Sequence, residues 1–375
     1  MHDLAAAAND RADDIVADAL ALCAVESPSR DAAASRRSAD AVRALLESRL
    51  GATVTEQTID GHVHVRATWG EPRVLLLCHH DTVWPLGTVD RIPLVDGEHV
   101  SGPGTVDMKG GIAVGVHALA MLREPGGDAA LDGVDLLITG DEEGGSPTSR
   151  PIIEASTARA ALVLEAGAHG GEVKTGRKGV SIYRLEVLGR AAHAGVEPEL
   201  GVNASVALAH AVLAVAGLSD AAAGTSATPT VLQAGTTTNT VPASAWVAVD
   251  VRAWTVAEQQ RVDDAIRALV SPLEGAAIVV HGGINRPPLE RAMAVDLYTQ
   301  AAAVAVELGF DSLQEAAVGG GSDGNFTAGA GIPTLDGLGP WGGGAHADHE
   351  HAVREAFPQR TALVAGLVRR LLAQE

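Results

Sequence analysis

Three short apolar runs, each followed directly or across a single glycine by side chains that can bind a metal ion, constrain the fold of this chain most strongly. The runs are 74–78, 134–139 and 161–164, and they are followed by His79-His80-Asp81, Asp141-Glu142-Glu143 and Glu165. Apolar runs of this length are typical of buried strands in a sheet that helices cover on both faces. In such sheets, ligands bind beyond the carboxyl ends of the strands. An imidazole and several carboxylates gathered there predict a nitrogen and oxygen site that suits zinc or a similar divalent cation.

The composition is that of a folded, acidic chain with few cysteines. Its 375 residues suggest about two or three domains, and 46% hydrophobic residues are ordinary for a globular protein. The net charge of −20 argues against nucleic acid or an anionic membrane as a partner. Cys23 and Cys78 make no disulfide framework. Because we find neither an apolar secretory segment nor a membrane-spanning run, we expect a cytoplasmic protein.

The chain up to about residue 165 alternates between predicted strands and helices, which indicates an α/β sheet. Asn9-Asp10 is predicted to cap a first helix, and a second helix is predicted to end at Gly51. This second helix is predicted at 31–50 and a third at 110–123. Strands are predicted at 53–57, 62–68 and 74–78.

The pattern changes near Lys174, where an inserted domain is predicted to begin. The chain is then expected to form a strand, a helix, two strands, a helix and a strand, which is the order of a ferredoxin-like fold. The predicted strands are 180–187, 230–234, 245–252 and 276–281, and the predicted helices are 203–218 and 256–273. We therefore predict a discontinuous larger domain of residues 1–174 and 286–375, and an inserted domain of residues 175–285.

His79 and Asp81 are two residues apart in a segment that is predicted to be extended. Alternate residues of such a segment point the same way, so both can face one site while His80 faces away. A histidine that binds a metal is usually oriented by a carboxylate on its other ring nitrogen, and this role suits the side chain of Asp81. The alternative is a polar strand end at the surface.

Glu142 and Glu143 follow a strongly apolar strand. Two adjacent carboxylates repel each other unless one binds a cation and the other holds a proton. Metal-assisted hydrolysis needs this division between a metal ligand and a general base. The alternative is a solvated acidic turn.

Asp107, Glu165 and His346 are further candidate ligands. Asp107 follows a turn rich in Gly and Pro, which allows the backbone to approach a metal, although Asp is also common as a helix N-cap. The glycine run before His346 allows a loop to bring this side chain to the site. Glu165 has the alternative of a simple strand-end carboxylate. We expect His349 and His351 to lie in a flexible turn that binds metal only adventitiously.

Four motifs occur in the order known from one enzyme family. They are His79-His80-Asp81-Thr82-Val83, residues 102–111, Asp141-Glu142-Glu143-Gly144 and His193-Ala194-Gly195. Over nearly its whole length the chain resembles the co-catalytic di-zinc aminoacylase/carboxypeptidase family, which includes glutamate carboxypeptidases, acetylornithine deacetylases and succinyl-diaminopimelate desuccinylases. Residues 189–204 are most similar to the glutamate carboxypeptidase branch. The resemblance implies a zinc-binding mixed α/β sheet flanked by helices, with an inserted ferredoxin-like α+β lid that mediates dimers.

The resemblance also implies that Asp107 bridges two zinc ions, with Co²⁺ or Mn²⁺ as alternatives to zinc. The ligands of one ion would be His79, Asp107 and Glu165, and those of the other would be Asp107, Glu143 and His346. Glu142 would be the general base and afterwards the general acid. Met108 stands where many members of the family have a second Asp.

The resemblance assigns further residues to the substrate. His193 would stabilise the tetrahedral oxyanion, and it would come from the lid of the second subunit of a homodimer. Asn239 and Arg252 would bind the α-carboxylate of the released amino acid, for which a guanidinium offers a two-pronged hydrogen bond.

A glycine-rich segment and a basic residue complete the predicted substrate site. Gly320 and Ser322 lie where backbone N–H groups suit the same carboxylate. Arg286 is the candidate for recognising an acidic side chain of the substrate. Its alternatives are Arg177, Lys178 and Arg190.

We therefore expect a metal-dependent amide hydrolase that releases an amino acid, such as glutamate, from an N-acyl amino acid or a short peptide. A dipeptidase or an N-acyl-amino-acid deacylase of other specificity is the alternative within this class. A catalytically silent ligand-binding homologue is disfavoured, because Glu142 and all the candidate ligands are present. A structural metal protein is disfavoured because its sites are typically closed and rich in cysteine.

Overall fold

The three apolar runs lie side by side at the centre of a mixed sheet in the computed structural model, which describes residues 2–374. The helices are α1 His2–Asp10, α2 Ala12–Cys23, α3 Ala32–Leu50, α4 Thr88–Arg91, α5 Lys109–Gly126, α6 Arg150–Glu154, α7 Ala204–Ala216, α8 Val256–Arg267, α9 Val295–Leu308, α10 Gly324–Gly329 and α11 Ala356–Leu372. The first strands are β1 Val54–Ile59, β2 His62–Thr68, β3 Val74–His79, β4 His99–Ser101, β5 Val134–Thr139, β6 Ala160–Val163 and β7 Val173–Arg177. The later strands are β8 Gly179–Leu188, β9 Ala192–His193, β10 Ser226–Ala234, β11 Thr240–Val241, β12 Ser244–Ala253, β13 Ala277–Arg286, β14 Glu315–Val318, β15 Thr334–Leu335, β16 Gly342–Gly343 and β17 His351–Val353.

The chain divides into two compact units. The first contains the chain up to Gly176, Arg291–Val318 and the residues from Ser322 onward. The second contains Arg177–Glu290 and Gly319–Gly321.

The large sheet of the first unit has the strand order β1-β2-β5-β3-β6-β15. The pairs β5–β3, β3–β6 and β6–β15 are parallel, and the two remaining pairs at the β1 edge are antiparallel. In this register His79 lies opposite Thr139, and Leu77 lies opposite Val163. The carboxyl ends of the three apolar strands therefore meet at one edge of the sheet, as we predicted.

Helices cover both faces of this sheet, which is why its central strands are wholly apolar. Leu76 packs into the larger core together with side chains of α2, α3, α5, α9 and α11. Its neighbours Leu75 and Leu77 point to the opposite face and pack against Ile153 and Phe326. The alternation with a period of two places each side chain of β3 in one core or the other.

Helix α5 approaches the sheet very closely through a glycine. A Cβ atom at Gly111 would clash with the carbonyl oxygen of Leu164, directly after β6. This close approach places the start of α5, and the loop before it, beside the strand end that carries Glu165.

The second unit is an antiparallel sheet with the order β10-β12-β8-β13, and α7 and α8 pack on one face. Leu185 and Val247 point into this small core, whereas Ile182 and Leu188 on the other face are exposed. The order of elements along the chain and the order of strands in the sheet are those of a ferredoxin-like fold. The predicted fold class is therefore confirmed.

Several predicted element bounds were wrong. Asn9-Asp10 does not cap the first helix, because the alanine-rich segment before it is itself helical (α1). The helix predicted at 256–273 ends at Arg267, ahead of Pro272, and the strand predicted at 230–234 begins at Ser226. The prediction that α3 ends at Gly51 is confirmed, since Gly51 adopts a left-handed conformation with φ 54°.

No helix within residues 2–374 combines the length and apolar character needed to cross a bilayer.

Candidate metal centre

Asp107 lies between two imidazoles in the first unit. Its Oδ1 atom is 3.3 Å from Nε2 of His79, and its Oδ2 atom is 3.2 Å from Nε2 of His346. Each carboxylate oxygen thus faces a different histidine. This is the arrangement expected of a carboxylate that bridges two metal ions.

A second carboxylate accompanies each histidine. Glu165 Oε1 lies 3.4 Å from Nε2 of His79, and Glu143 Oε2 lies 3.3 Å from Nε2 of His346. Donor atoms that share a zinc ion at about 2.0–2.2 Å are separated by roughly 3 Å or slightly more, so both groups have suitable spacing. The ligand atoms of His79, Asp107 and Glu143 also lie within 4.8 Å of one another.

Two buried polar atoms of this cluster have no hydrogen-bond partner among residues 2–374, although the residues that carry them lie close to other members of the cluster. They are Nε2 of His79 and Oε1 of Glu143, neither of which has a hydrogen bond. Buried polar atoms are almost always paired, so orphaned atoms at the centre of a ligand cluster are what a missing cation would leave. A set of imidazole and carboxylate donors fits zinc, and we conclude that these residues fit a pair of divalent cations.

The electrostatics of the cluster also favour positive charge. Burial opposes protonation of His79, but Asp107, Asp81 and Glu165 outweigh it and raise the pKa of this imidazole. Contacts with Asp107, which has the larger effect, and with Glu143 raise the pKa of His346 to about 10. The carboxylates thus create a strongly negative field, which is the field that would hold a metal ion.

Asp81 contacts His79 and also the turn that carries the two glutamates. Nδ1 of His79 lies 3.0 Å from the carbonyl oxygen of Asp81 and 3.5 Å from its Oδ1 atom. Because a carbonyl only accepts, Nδ1 carries the proton of the neutral ring and Nε2 keeps its lone pair for a metal. The Asp81 carboxylate accepts the backbone N–H groups of Glu142 and Glu143, each at 3.1 Å, and the hydroxyl of Ser29 at 2.6 Å. The contacts to the two glutamates were not predicted from the sequence.

Glu142 and Glu143 occupy a short 3-10 turn, which follows β5 after Gly140 and Asp141. Asp141, just before the turn, accepts hydrogen bonds from the backbone N–H of Thr148 at 2.7 Å and from its hydroxyl at 2.7 Å. Asp323 accepts hydrogen bonds from the hydroxyls of Thr139 and Ser146, on either side of the turn. The backbone that carries the two glutamates is therefore held from both sides.

Glu350 is a buried residue that we did not predict to belong to the site. Its Oε1 atom accepts the backbone N–H groups of Val106 at 3.1 Å and Asp107 at 3.2 Å. Its Oε2 atom accepts the indole N–H of Trp84 at 2.8 Å and the backbone N–H of Gly104 at 3.0 Å. Glu350 thus holds the loop that presents Asp107, whose peptide bond to Met108 is cis. Its position four residues after His346 was the only indication in the sequence.

The second unit contains most of the residues predicted for the substrate. His193 and Thr240 are paired residues of β9 and β11, so Asn239 lies close to His193 along this ladder. The N–H of Gly195 donates to Nδ1 of His193 at 3.1 Å, which leaves the proton of the neutral ring on Nε2. His193 and Asn239 are both exposed.

The predicted arginines of this unit are engaged with the protein. Arg252 makes two hydrogen bonds to the carboxylate of Asp250, at 2.8 and 2.9 Å. Arg286 is buried, and its carbonyl oxygen accepts a hydrogen bond from Gln259. The carbonyl oxygen of Gly320 accepts a hydrogen bond from Arg177 at 3.1 Å.

Ser322, in the first unit, is buried and has both of its donors engaged. Its backbone N–H donates to Asn325 at 2.9 Å, and its hydroxyl donates to Asp336 at 2.6 Å. Both donors of Ser322 are thus used within the protein, where they hold the glycine-rich segment in place instead of facing a ligand.

A carboxylate between two imidazoles at the sheet edge, with two adjacent glutamates beside it, is typical of metal-dependent hydrolases with a co-catalytic metal site. Comparison with known families makes the assignment specific. Residues 75–370 match the family described as Peptidase family M20/M25/M40, and the chain belongs to this family. The resemblance inferred from the sequence motifs is therefore confirmed.

Individual relatives agree with this assignment. The chain is 34% identical to carboxypeptidase G2 of Pseudomonas sp. (strain RS-16) over 312 residues, which cover 80% of this chain and 74% of the relative. Two solved structures share the fold. Aminopeptidase PepT from Bacillus cereus has a TM-score of 0.72 at 22% identity and covers 97% of this chain and 98% of its own. The M20 family metallo-carboxypeptidase Sso-CP2 from Sulfolobus solfataricus has a TM-score of 0.70 at 16% identity and covers 95% and 98%.

Proposed function

We propose that this enzyme hydrolyses an amide bond and releases a C-terminal amino acid, glutamate or a similar acidic one, from an N-acyl amino acid or a short peptide. The observation that carries the proposal is the position of Asp107 between His79 and His346, with Glu142 next to the ligand Glu143 in one anchored turn. The similarity to carboxypeptidase G2 over most of both chains supports the choice of a carboxypeptidase-like reaction.

In this proposal the metal ligands form two groups that share Asp107. His79 and Glu165 complete one group, and Glu143 and His346 complete the other. Two zinc ions held there would polarise the amide carbonyl and lower the pKa of a water molecule.

Glu142 is the proton carrier in the proposed reaction. It takes a proton from the attacking water and later gives it to the nitrogen of the leaving amino acid, so the atoms and charges balance over the cycle. Asp81 acts on this residue indirectly, because its carboxylate holds the backbone N–H groups of both Glu142 and Glu143. Asp81 therefore orients both elements: its carboxylate holds the glutamate turn, and its carbonyl oxygen accepts the ring N–H of His79.

His193 and Asn239 are the proposed contacts to the substrate from the second unit, which we propose to be a lid and dimerisation domain. A proton on Nε2 of His193 suits donation to the oxyanion of the tetrahedral intermediate, and Gly195 sets this tautomer. Asn239 lies beside it and would contact the α-carboxylate. Arg252 would have to exchange its Asp250 partner to bind the same group, whereas Arg286 remains the proposed contact for an acidic side chain.

The test is a panel of N-acyl amino acids and free dipeptides, assayed for amine release by the zinc-loaded enzyme. We expect turnover of N-acyl substrates with a C-terminal acidic residue. Preference for free dipeptides would replace this proposal by a dipeptidase, and preference for N-acyl amino acids without acidic side chains would replace it by a general deacylase.

The role of Glu142 is tested separately by Glu142→Gln, with the exposed Glu71→Gln as a control. A general acid–base contributes about 10²–10⁴-fold, so we expect kcat to fall by this factor while the metal content stays unchanged. The control should match the parent enzyme in both measurements. Undiminished kcat in Glu142→Gln would refute the assignment of the general base.

A further inference from the structure

Two imidazoles outside the catalytic cluster lie next to each other on a small sheet of the first unit. The sheet has the order β16-β17-β4, with His351 paired to Ser101 and Val353 paired to His99. Residues two apart on a strand share a face, so His351 and His99 lie diagonally on the same face of this sheet. Their ring centroids are 4.7 Å apart, and the ring planes make an angle of 57°.

The tautomer of His351 suits a metal ligand. Its Nδ1 atom lies 2.9 Å from the carbonyl oxygen of His349. Because this oxygen can only accept, the proton of the neutral imidazole is on Nδ1, and Nε2 keeps an unshared pair. This is the arrangement that commonly orients metal-binding histidines.

The spacing of the rings suits one shared cation. Zinc–nitrogen bonds are about 2.0–2.1 Å long, which places the ring centres of two imidazoles on one ion roughly 5 Å apart. The observed separation of 4.7 Å between the ring centroids of His99 and His351 is close to this value. His99 is exposed and His351 is partly exposed, so solvent water can fill the remaining coordination positions.

Glycine on the neighbouring strand leaves room around His351. Gly343 is the residue paired with His351 in β16, and a Cβ atom at Gly343 would lie 3.4 Å from Cε1 of this ring. The same strand leads into the loop that carries His346. The two histidines are thus fixed to the backbone of the catalytic loop, although neither belongs to the catalytic cluster.

We propose that His99 and His351 form a peripheral binding site for a borderline divalent cation such as Zn²⁺ or Ni²⁺. Imidazole ligands select such ions over Mg²⁺ and Ca²⁺, which prefer oxygen. With two protein ligands instead of a bridged cluster, the peripheral site binds more weakly than the catalytic centre. The net charge of −20 favours uptake of a cation from solution. The site is independent of the proposed substrate.

The experiment compares the amount of zinc bound by the full-length enzyme and its variants, using equilibrium dialysis against Zn²⁺ and elemental analysis. We expect His99→Asn and His351→Gln each to bind one equivalent less than the parent at high Zn²⁺. His210→Asn, an exposed histidine of the second unit, is the matched control and should bind the parent amount. Thermal unfolding verifies that each variant is folded.

Two further measurements distinguish a specific site formed by His99 and His351 from adventitious binding of the ion. Mg²⁺ in place of Zn²⁺ should show no difference between the parent and His99→Asn. Lowering the pH from 7.5 to 5.5 should abolish the difference measured with Zn²⁺, since protonated imidazoles do not bind metal. Equal zinc binding by the parent and His99→Asn, or an equal loss in His210→Asn, would overturn the proposal. Because the comparison is made between variants, a failure of the proposed hydrolase activity would not produce this result.

Discussion

Glu350→Gln tests whether the catalytic centre depends on the residue that holds the Asp107 loop. The Glu350 carboxylate accepts hydrogen bonds from the backbone N–H groups of Gly104, Val106 and Asp107 and from the Trp84 indole. A glutamine replaces one of its oxygens by an amide NH₂, which then faces two donors whichever way the side chain is placed. Two backbone or indole donors lose their acceptor in a buried environment.

The magnitude follows from the number of donors affected. A buried donor left without a partner costs about 1–3 kcal/mol, so the two together give roughly 3 kcal/mol of lost stability. The hydrogen bonds that are lost hold the loop that carries Asp107. Replacement of groups that orient metal ligands typically weakens metal affinity about 10–100-fold. We expect both effects in Glu350→Gln.

The assays are urea unfolding of the metal-free protein and competition for zinc with a chromophoric chelator. Glu355→Gln is the matched control, because Glu355 is exposed and lies only five residues further along the chain. It should leave both measurements unchanged. A zinc affinity of Glu350→Gln within twofold of the parent would refute the inference that Glu350 positions the bridging ligand.

Two further predictions concern packing and ionisation. Gly111→Ala should destabilise the protein by about 3 kcal/mol or more and lower its zinc content, because the new Cβ atom would clash with the carbonyl oxygen of Leu164. Gly97→Ala is the control and should be tolerated, because its Cβ atom would make only an ordinary contact at 3.5 Å. Equal urea midpoints for the two variants would contradict this reading. Burial raises the pKa of the Cys23 thiol to about 12 from 9.0. Protonation of this thiol therefore makes its full contribution to the stability of the folded state below pH 9, and the contribution is lost as the pH rises toward 12. The difference in free energy of unfolding between the parent and Cys23→Ala should therefore change by about 1.4 kcal/mol between pH 8 and pH 10 when it is measured by urea unfolding. A difference that does not depend on pH would argue against a buried thiol.

The sequence by itself determined the central strands and the edge at which the chemistry lies. Apolar runs and their periodicity are local properties, so the sheet, the ferredoxin-like unit and the strand-end positions of His79, Glu143 and Glu165 could be predicted from them. Asp107 and His346 were weaker candidates, because a ligand in a glycine-rich loop has no distinctive local pattern. Their assignment rested on the order of the motifs along the whole chain.

The tertiary structure alone decided which groups hold those ligands in place. Glu350 contacts the backbone N–H of Asp107 from 243 positions away in sequence, and Asp81 holds the N–H groups of Glu142 and Glu143. Such bonds use backbone donors that every residue has, so the amino-acid sequence does not show which donors a given carboxylate will reach. The closeness of His99 to His351 arises in the same way, from the pairing of two strands that are far apart in the sequence. Local patterns specify the elements, whereas contacts between distant segments form only when the chain packs.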